Sequence, residues 1–477
     1  MFGKKQSDAS GASARGKKAS QPVQDASIFA EPVVVATTRP ASDQPDIFFT
    51  DPKLETEEYQ QAKYRLTELL LEKVDFSTMD ALTEEGKKNR IRDAAGYLLY
   101  HDLQMPLTAA QVALLKEQAV HDLLGVGPIE VLMRNPKISD IMINGYNRIF
   151  VEMDGKILLT DVVFTSEKHL LNVIQKIVSV VGRRVDESSP MVDARMPDGS
   201  RFNAIIPPLA LDGCLVSIRK FRKQKMSLHD YVGWGSMSDA MHRFLAICGE
   251  IRLNIIVSGG TGSGKTTLLN ALSGTIGRSE RVITIEDAAE LQLQQPHVLR
   301  MESRPPNMEG AGEVTQRQLL RNALRMRPDR IIIGEIRGEE VIEVLSAMNT
   351  GHDGSMATLH ANTPRDALSR IENLVGMSSI KMSLPSLRSQ IASAVHLIIQ
   401  VARQRDGKRR VTQIEEVIDI QNDQIITQTL FAFRPAGMNE QGVLMGEFFA
   451  TGATPHFLSQ AAYFGREADM LDTLRVA

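Results

Sequence analysis

The sequence predicts an α/β fold: a parallel sheet with helices on both faces, preceded by an α+β domain and a small N-terminal helical bundle. Three observations predict it. From about residue 238 onward, apolar strand-like runs alternate with helical runs, the arrangement that buries a parallel sheet between helices. A glycine-rich turn, GGTGSGKT at 259–266, follows the apolar run 254–257 and opens a helical run at 267–272. Upstream, Gly125, Gly127 and Pro128 mark a switch from helical spacing to short strand-like pieces.

In chain order, residues 1–55 are rich in Ser, Ala, Gln, Pro and Lys and poor in large apolar residues. Such a segment does not offset its ordering entropy and is expected to be a disordered tail. Its basic start (Lys4, Lys5, Arg15, Lys17, Lys18) reads as solvated, or as a weak contact for anionic lipid or an acidic partner. Residues 56–124 form the helical bundle, on the spacing of Tyr64, Leu66, Leu69 and Leu70, then Leu98, Leu99 and Leu103, then Val112, Leu114, Leu115 and Val120. The α+β domain spans 125–223, with strands at 139–144, 149–152, 157–164, 200–206 and 215–220, a helix at 166–181 and a hairpin turn at Asp154-Gly155. Residues 224–238 read as a linker. In the core, 239–434, strands are expected at 253–258, 281–285, 330–334, 355–359 and 395–402, helices at 315–326, 339–349 and 364–375, and a hairpin turn at Asp406-Gly407. Residues 435–477 are left as a C-terminal extension.

Composition narrows the function. The chain has 477 residues, 43% of them apolar, enough for several cores. The net charge of −3 offers no broad basic field, so no nucleic-acid partner is expected. The two cysteines, Cys214 and Cys248, form no CxxC pair and suggest neither a cysteine zinc site nor a disulfide scaffold. No apolar run approaches transmembrane length, and the N-terminus lacks the apolar core of a signal peptide. The expected location is cytoplasmic, with any membrane association made through a partner.

The chemistry is expected at strand ends. In GGTGSGKT the glycines Gly259, Gly260, Gly262 and Gly264 let backbone N–H groups turn inward around a phosphate chain, together with Thr261 and Ser263. The N-terminus of the helix that carries Thr266 and Thr267 adds partial positive charge. Lys265 is expected on the β- and γ-phosphates and the Thr266 hydroxyl on Mg²⁺, making ATP and Mg²⁺ the implied ligands. The run 329–335, DRIIIGE, ends in Glu335, expected to reach Mg²⁺ through water or to polarise the attacking water. In 281–287, RVITIED, Glu286 is the candidate for orienting water, with Glu290 its nearest competitor. Asp287 reads equally as a helix cap. His352 and His360 flank a short strand; without cysteines or an HExxH pattern they do not argue for metal. Each reads as a structural hydrogen-bonding histidine, with sensing of the γ-phosphate as the alternative.

The order of these segments resembles the type II/IV secretion ATPase superfamily: a Walker A loop, then TIEDAAEL at 284–291 (Asp box), RIIIGEIRG at 330–338 (Walker B) and TGHDGSMATLHANTPRDALSRI at 350–371 (His box). Residues 125–144 and 193–221 are similar to the CpaF/TadA-type branch that drives tight-adherence (Tad) pili. The absence of a tetracysteine zinc module fits the Tad or VirB11-like branches. The resemblance implies a RecA-like core, a preceding PAS-like domain capping the nucleotide, a homohexameric ring, and ATP hydrolysis passed to inner-membrane platform proteins that add or remove pilin. It also gives roles to Arg195, Arg201 and Arg219, which otherwise read as surface charges: cations brought to the phosphates by the capping domain. His360 joins the catalytic candidates on the same ground. Arg337 acts similarly or pairs with a nearby carboxylate. Two rivals remain: a nucleic-acid translocase, which would show a basic stripe that the core lacks, and a catalytically silent scaffold, disfavoured by the presence of Lys265, Thr266, Glu286 and Glu335.

Overall fold

A computed structural model describes residues 46–475, apart from 50–53, 55, 75–78, 80–81, 154, 222–225, 307–309, 379 and 381. Most of the expected tail, and Asp154 of the expected turn, lie outside the described residues.

The bundle consists of α1 (Glu57–Lys73), α2 (Glu84–Leu98) and α3 (Ala109–Leu124). Thr56, Thr83 and Thr108 cap their N-termini, the last in a reciprocal pair with Gln111. Their apolar stripes meet in a core of Tyr59, Leu66, Leu70, Ile91, Leu98 and Leu115.

A short helix α4 (Glu130–Arg134) leads into an antiparallel sheet ordered β3-β2-β1-β6-β5-β4. Its strands are β1 (Ile138–Asn144), β2 (Ile149–Met153), β3 (Lys156–Leu159), β4 (Met191–Arg195), β5 (Arg201–Ile205) and β6 (Leu215–Arg219). Helix α5 (Glu167–Val180) puts Leu170, Val173, Ile174 and Ile177 against one face, where Ile141, Phe202, Ala204 and Ile218 are buried. The opposite face carries the alternate residues of the same strands, among them Arg195, Arg201 and Arg219, which the register places side by side. Strand β4 was not anticipated, and the run expected at 157–164 leaves the sheet after Leu159. Residues 46–49 correct the tail boundary. The Asp46 amide donates to the Leu159 carbonyl at 2.8 Å, and the Phe49 amide donates to Asp161 at 2.8 Å. Ile47 and Phe49 pack on the domain core.

The expected linker also acquires structure: α6 (Leu228–Gly233) lies inside it and buries Leu228 and Tyr231 in the core of the next domain. That domain is built on a nine-stranded sheet ordered β15-β14-β13-β12-β7-β11-β10-β8-β9. The parallel part comprises β7 (Ile255–Gly259), β8 (Val282–Glu286), β9 (Val298–Glu302), β10 (Arg330–Ile336), β11 (Met356–Leu359) and β12 (Leu397–Arg403). Because side chains alternate, β7 sends Ile255 and Val257 to one face and Ile256 to the other. The first face is covered by α6, α7 (Asp239–Glu250), α8 (Lys265–Ser273), α13 (Leu458–Tyr463) and α14 (Glu467–Thr473). The second is covered by α9 (Gln316–Ala323), α10 (Glu340–Asn349), α11 (Pro364–Gly376) and α12 (Leu384–Ala394).

Three antiparallel strands, β13 (Arg409–Gln421), β14 (Gln424–Met438) and β15 (Leu444–Ala450), extend the sheet beyond β12. The sheet is therefore mixed. The boundary placed at 434 falls inside β14, and Phe457, Ala461, Met470 and Leu474 of the expected extension complete the same core as Phe244 and Phe431. Edge strands such as β9 and β15 carry mixed burial rather than a continuous apolar run, which is why periodicity did not reveal them.

Candidate nucleotide-binding and catalytic site

The C-terminal ends of β7, β10 and β11 face the open side of the α+β domain across a cleft of about 590 Å³. The glycine-rich loop forms its floor. Gly262 (φ +68°) and Gly264 (φ +97°) hold left-handed conformations, and Gly264 caps α8 directly, so a side chain at either position strains the loop. The Ser263 hydroxyl donates to the Gly260 carbonyl at 2.8 Å, and the Lys265 ammonium donates to the same carbonyl at 3.1 Å. Burial lowers the Lys265 pKa, partly offset by the Glu335 carboxylate. Lys265, Thr266 and Thr267 all line the cleft.

Glu335 and His360 also line it. Strand β11 lies between β7 and β10, so Glu335 does not come from the strand beside the loop strand. It reaches the loop because the register aligns Ile336 with Leu359 and Leu359 with Ser258. Arg337 grips Glu335 at 2.5 Å and reaches Asp287 at 3.3 Å, the pairing alternative raised from sequence. The two histidines occupy opposite ends of β11. His360 is exposed in the cleft, whereas 350–355 enters the strand at the far end. There Gly354 (φ +83°) packs on the buried guanidinium of Arg330, where a Cβ would fall 2.6 Å from Nη1. Arg330 is paired in turn with Glu280 at 2.7 and 2.8 Å. Residues 350–355 of the His-box segment thus sit at the closed end of the sheet, away from the cleft.

Glu286 is not on the cleft wall. It is 2% exposed, and its Oε2 accepts the backbone N–H groups of Glu290 (2.7 Å) and Leu291 (2.9 Å). It holds in place the loop that presents Glu290 to the cleft. Of the two acids weighed from sequence, the competitor is the one the fold exposes to the cleft. Strand periodicity alone does not separate them, because burial of one depends on the path of the loop after it.

Burial pushes the Glu286 carboxyl up to about 7, with the two N–H groups only partly countering it. The folded chain therefore favours the protonated acid. The stability this contributes is complete below the ordinary value of 4.5 and is lost as pH rises through about 7. Glu286→Gln, which keeps an acceptor for both amides, should gain stability over wild type as pH rises from 6 to 8, by about 1–3 kcal/mol. Denaturant melts at the two pH values check this; a variant-to-wild-type difference that does not grow with pH would refute it.

The three arginines are divided. Arg201 and Arg219 line the cleft. Arg201 lies 3.7 Å from Glu290 and 3.9 Å from Asp193, and Arg219 lies 3.2 Å from Asp140. Arg195 instead opens onto an adjoining cavity of about 670 Å³. It bonds Glu302 at 2.6 Å and the Ala289 carbonyl at 3.0 Å, so this structure does not bring it to the loop. Two arginines of the cleft were missed from sequence, Arg403 and Arg409. The only signal was the basic flank of the expected Asp406-Gly407 turn, RQRDGKRR at 403–410.

The donors present suit Mg²⁺. It takes hard oxygen ligands and keeps most of its waters, and Thr266 and Glu335 offer a hydroxyl and a carboxylate beside Lys265. Among the described residues no group of three or more His, Cys, Asp or Glu side chains gathers as for a protein-only metal cage.

The sequence profile of the family described as "Type II/IV secretion system protein" matches residues 122–441, about two thirds of the chain and all of the cleft. The chain belongs to that family. It is a P-loop ATPase of the type II/IV secretion group. A Mycobacterium tuberculosis (strain H37Rv) protein provisionally assigned to conjugal transfer is 37% identical over 299 residues, 61% of this chain and 84% of its own. The type IV secretion system protein VirB11 of Bartonella henselae is 30% identical over 325 residues, 60% of this chain and 90% of its own. Among solved structures, the VirB11 ATPase of Brucella suis is 26% identical, covering 60% of this chain and 91% of that one, with a TM-score of 0.34. No helix among the described residues of this family member is long and apolar enough to cross a membrane.

Proposed function

We propose that this secretion-family ATPase works as a homohexameric, Mg²⁺-dependent motor that powers assembly or retraction of Tad-type pili at the bacterial inner membrane, docking there on platform proteins. One observation carries the reading: a complete phosphate loop faces a separate domain whose Arg201 and Arg219 point into the same cleft. A cleft between two domains converts the loss of the γ-phosphate into a change in how they close.

In this reading the backbone N–H groups of 260–267 and Lys265 hold the β- and γ-phosphates of ATP. Thr266 and Glu335 hold Mg²⁺, which when bound neutralises charge on the phosphate oxygens. Glu290 orients the attacking water, Glu286 positions the loop that carries Glu290, and His360 reports on the γ-phosphate. Arg201 and Arg219 leave their carboxylate partners and stabilise the charge that develops on the transferring group. ATP release or turnover then loosens the capping domain, and a ring passes that movement to its neighbours.

The test combines three measurements on the full chain. Turnover should require Mg²⁺ and be indifferent to added DNA, native mass should correspond to six subunits, and deletion of the gene should abolish pili. Absence of ATPase activity in a folded hexamer refutes the motor. The conjugal-transfer relatives favour one second reading, a motor of a conjugation-type secretion system. In that case deletion abolishes transfer between cells and leaves pili intact.

A further inference from the structure

We propose that Gln400 is a positioning residue for hydrolysis: its side-chain amide fixes the segment 360–362 across the end of the loop strand and so sets where His360 stands in the cleft. The inference rests on the reading of His360 as the group that reports on the γ-phosphate. It adds a residue that lies outside every motif named above and off the cleft wall. A strand buried on both faces of a parallel sheet is expected to be apolar throughout. Strand β12 meets that expectation at Leu397, Ile398, Ile399 and Val401, and Gln400 breaks it while staying 4% exposed.

The neighbours of Gln400 explain why an amide stands there. The register pairs Leu359 with Ser258 and Ser258 with Gln400, so the three lie in one row across β11, β7 and β12. After Leu359 the chain leaves β11 and crosses over Ser258 toward β12. There the Gln400 Nε2 donates to the Ala361 carbonyl at 3.2 Å and to the Asn362 carbonyl at 2.9 Å. Ser258 Oγ lies 3.5 Å from the Ala361 carbonyl, and Asn362 Oδ1 lies 4.0 Å from where a Cβ on Gly260 would stand. The crossing therefore runs beside the start of the phosphate loop. On its other side β11 is tied to the strand of Glu335, because the buried Thr358 hydroxyl donates to the Gly334 carbonyl at 2.6 Å. His360 is exposed between these two anchors, so the backbone they hold decides where its ring stands. The amide is costly in this place. Among the described residues its Oε1 is buried without a partner, and a buried acceptor without a donor is destabilising. An aliphatic side chain avoids that cost and leaves both carbonyls of the crossing unheld.

The rival explanation is that Gln400 only props the turn into α11. Gln400→Met keeps the volume and removes both donors; Gln400→Thr, with its hydroxyl two bonds nearer the backbone, is the second variant. Binding of ADP, melting of the nucleotide-free protein and steady-state ATPase kinetics are measured on the full chain, alone and combined with His360→Ala. Each Gln400 variant should lower kcat roughly 10- to 100-fold, the size expected of a misplaced group. ADP affinity should stay within about twofold of wild type, because the crossing is assigned to the γ-phosphate alone. Added to His360→Ala, Gln400→Met should lower kcat by less than about a further twofold, since both act through one group. The proposal is overturned if kcat in the single variants stays near wild type, or if Gln400→Met costs as much with His360 absent as with it present. It is equally overturned if ADP affinity falls in step with kcat, or if neither variant folds, the signatures of a prop. If His360→Ala itself turns over like wild type, the reading of His360 fails and the proposal falls with it; loss of turnover in His360→Ala but not in Gln400→Met overturns the proposal alone.

Discussion

Replacing Lys265 by alanine should reduce ATP hydrolysis to background and weaken nucleotide binding while leaving the fold intact. The ammonium is partly buried at the base of the cleft and, among the described residues, bonds the loop's own Gly260 carbonyl. A triphosphate offers it a far stronger partner, so its bond energy is realised on binding and again as charge shifts during cleavage. Nothing in the cores depends on it: the helix it opens is anchored by Leu268, Leu269 and Leu272. The variant should therefore keep the wild-type circular dichroism and melting temperature. Turnover in a folded Lys265→Ala protein at more than about a hundredth of the wild-type rate would show that another cation serves the phosphates.

Arg201→Ala and Arg219→Ala should each lower turnover far more than ATP affinity. Cleavage spreads negative charge over the transferring group, and a guanidinium placed there stabilises the transition state beyond the ground state. In systems where such an arginine has been isolated it contributes roughly 10³–10⁵ in turnover. Here the effect should fall toward the lower end, because each arginine must first leave Glu290, Asp193 or Asp140. Arg195→Ala should have a much smaller effect, since it is tied to Glu302 and the Ala289 carbonyl beside a different cavity. Mixing Lys265→Ala subunits with Arg-substituted subunits locates the action: recovered activity means an arginine serves the neighbouring subunit, and none means it serves its own. Unchanged turnover in both single variants would return them to the status of surface charges.

Much of the core was legible because local constraints there agree. The strands expected at 253–258, 281–285, 330–334 and 395–402 correspond to β7, β8, β10 and β12, where continuous burial makes an apolar run unmistakable. The glycine loop was legible because Gly262 and Gly264 need backbone angles that few other residues adopt. Elements failed to show where their stability is not local. Strand β9 alternates exposed Arg300 and Glu302 with half-buried Leu299 and Met301. Helix α6 is too short to show a period, and β14 and β15, paired with β13 and with β14 respectively, are exposed or half-buried along most of their length.

The sequence by itself determined which chemistry is present: a phosphate loop, a lysine, a hydroxyl and acids at strand ends, and a set of arginines upstream. Those assignments follow from residue type and short-range spacing, which local backbone physics dictates. The tertiary structure decided which of those groups share a cleft. It set Glu335 two strands from the loop, exposed Glu290 and buried Glu286, split His352 from His360, and turned Arg201 and Arg219 toward the loop while tying Arg195 elsewhere. It also brought Arg409 across the chain to the Gly262 carbonyl. Strand order and domain closure are set by the packing of residues far apart in sequence, and the spacing within any one motif carries no record of that packing.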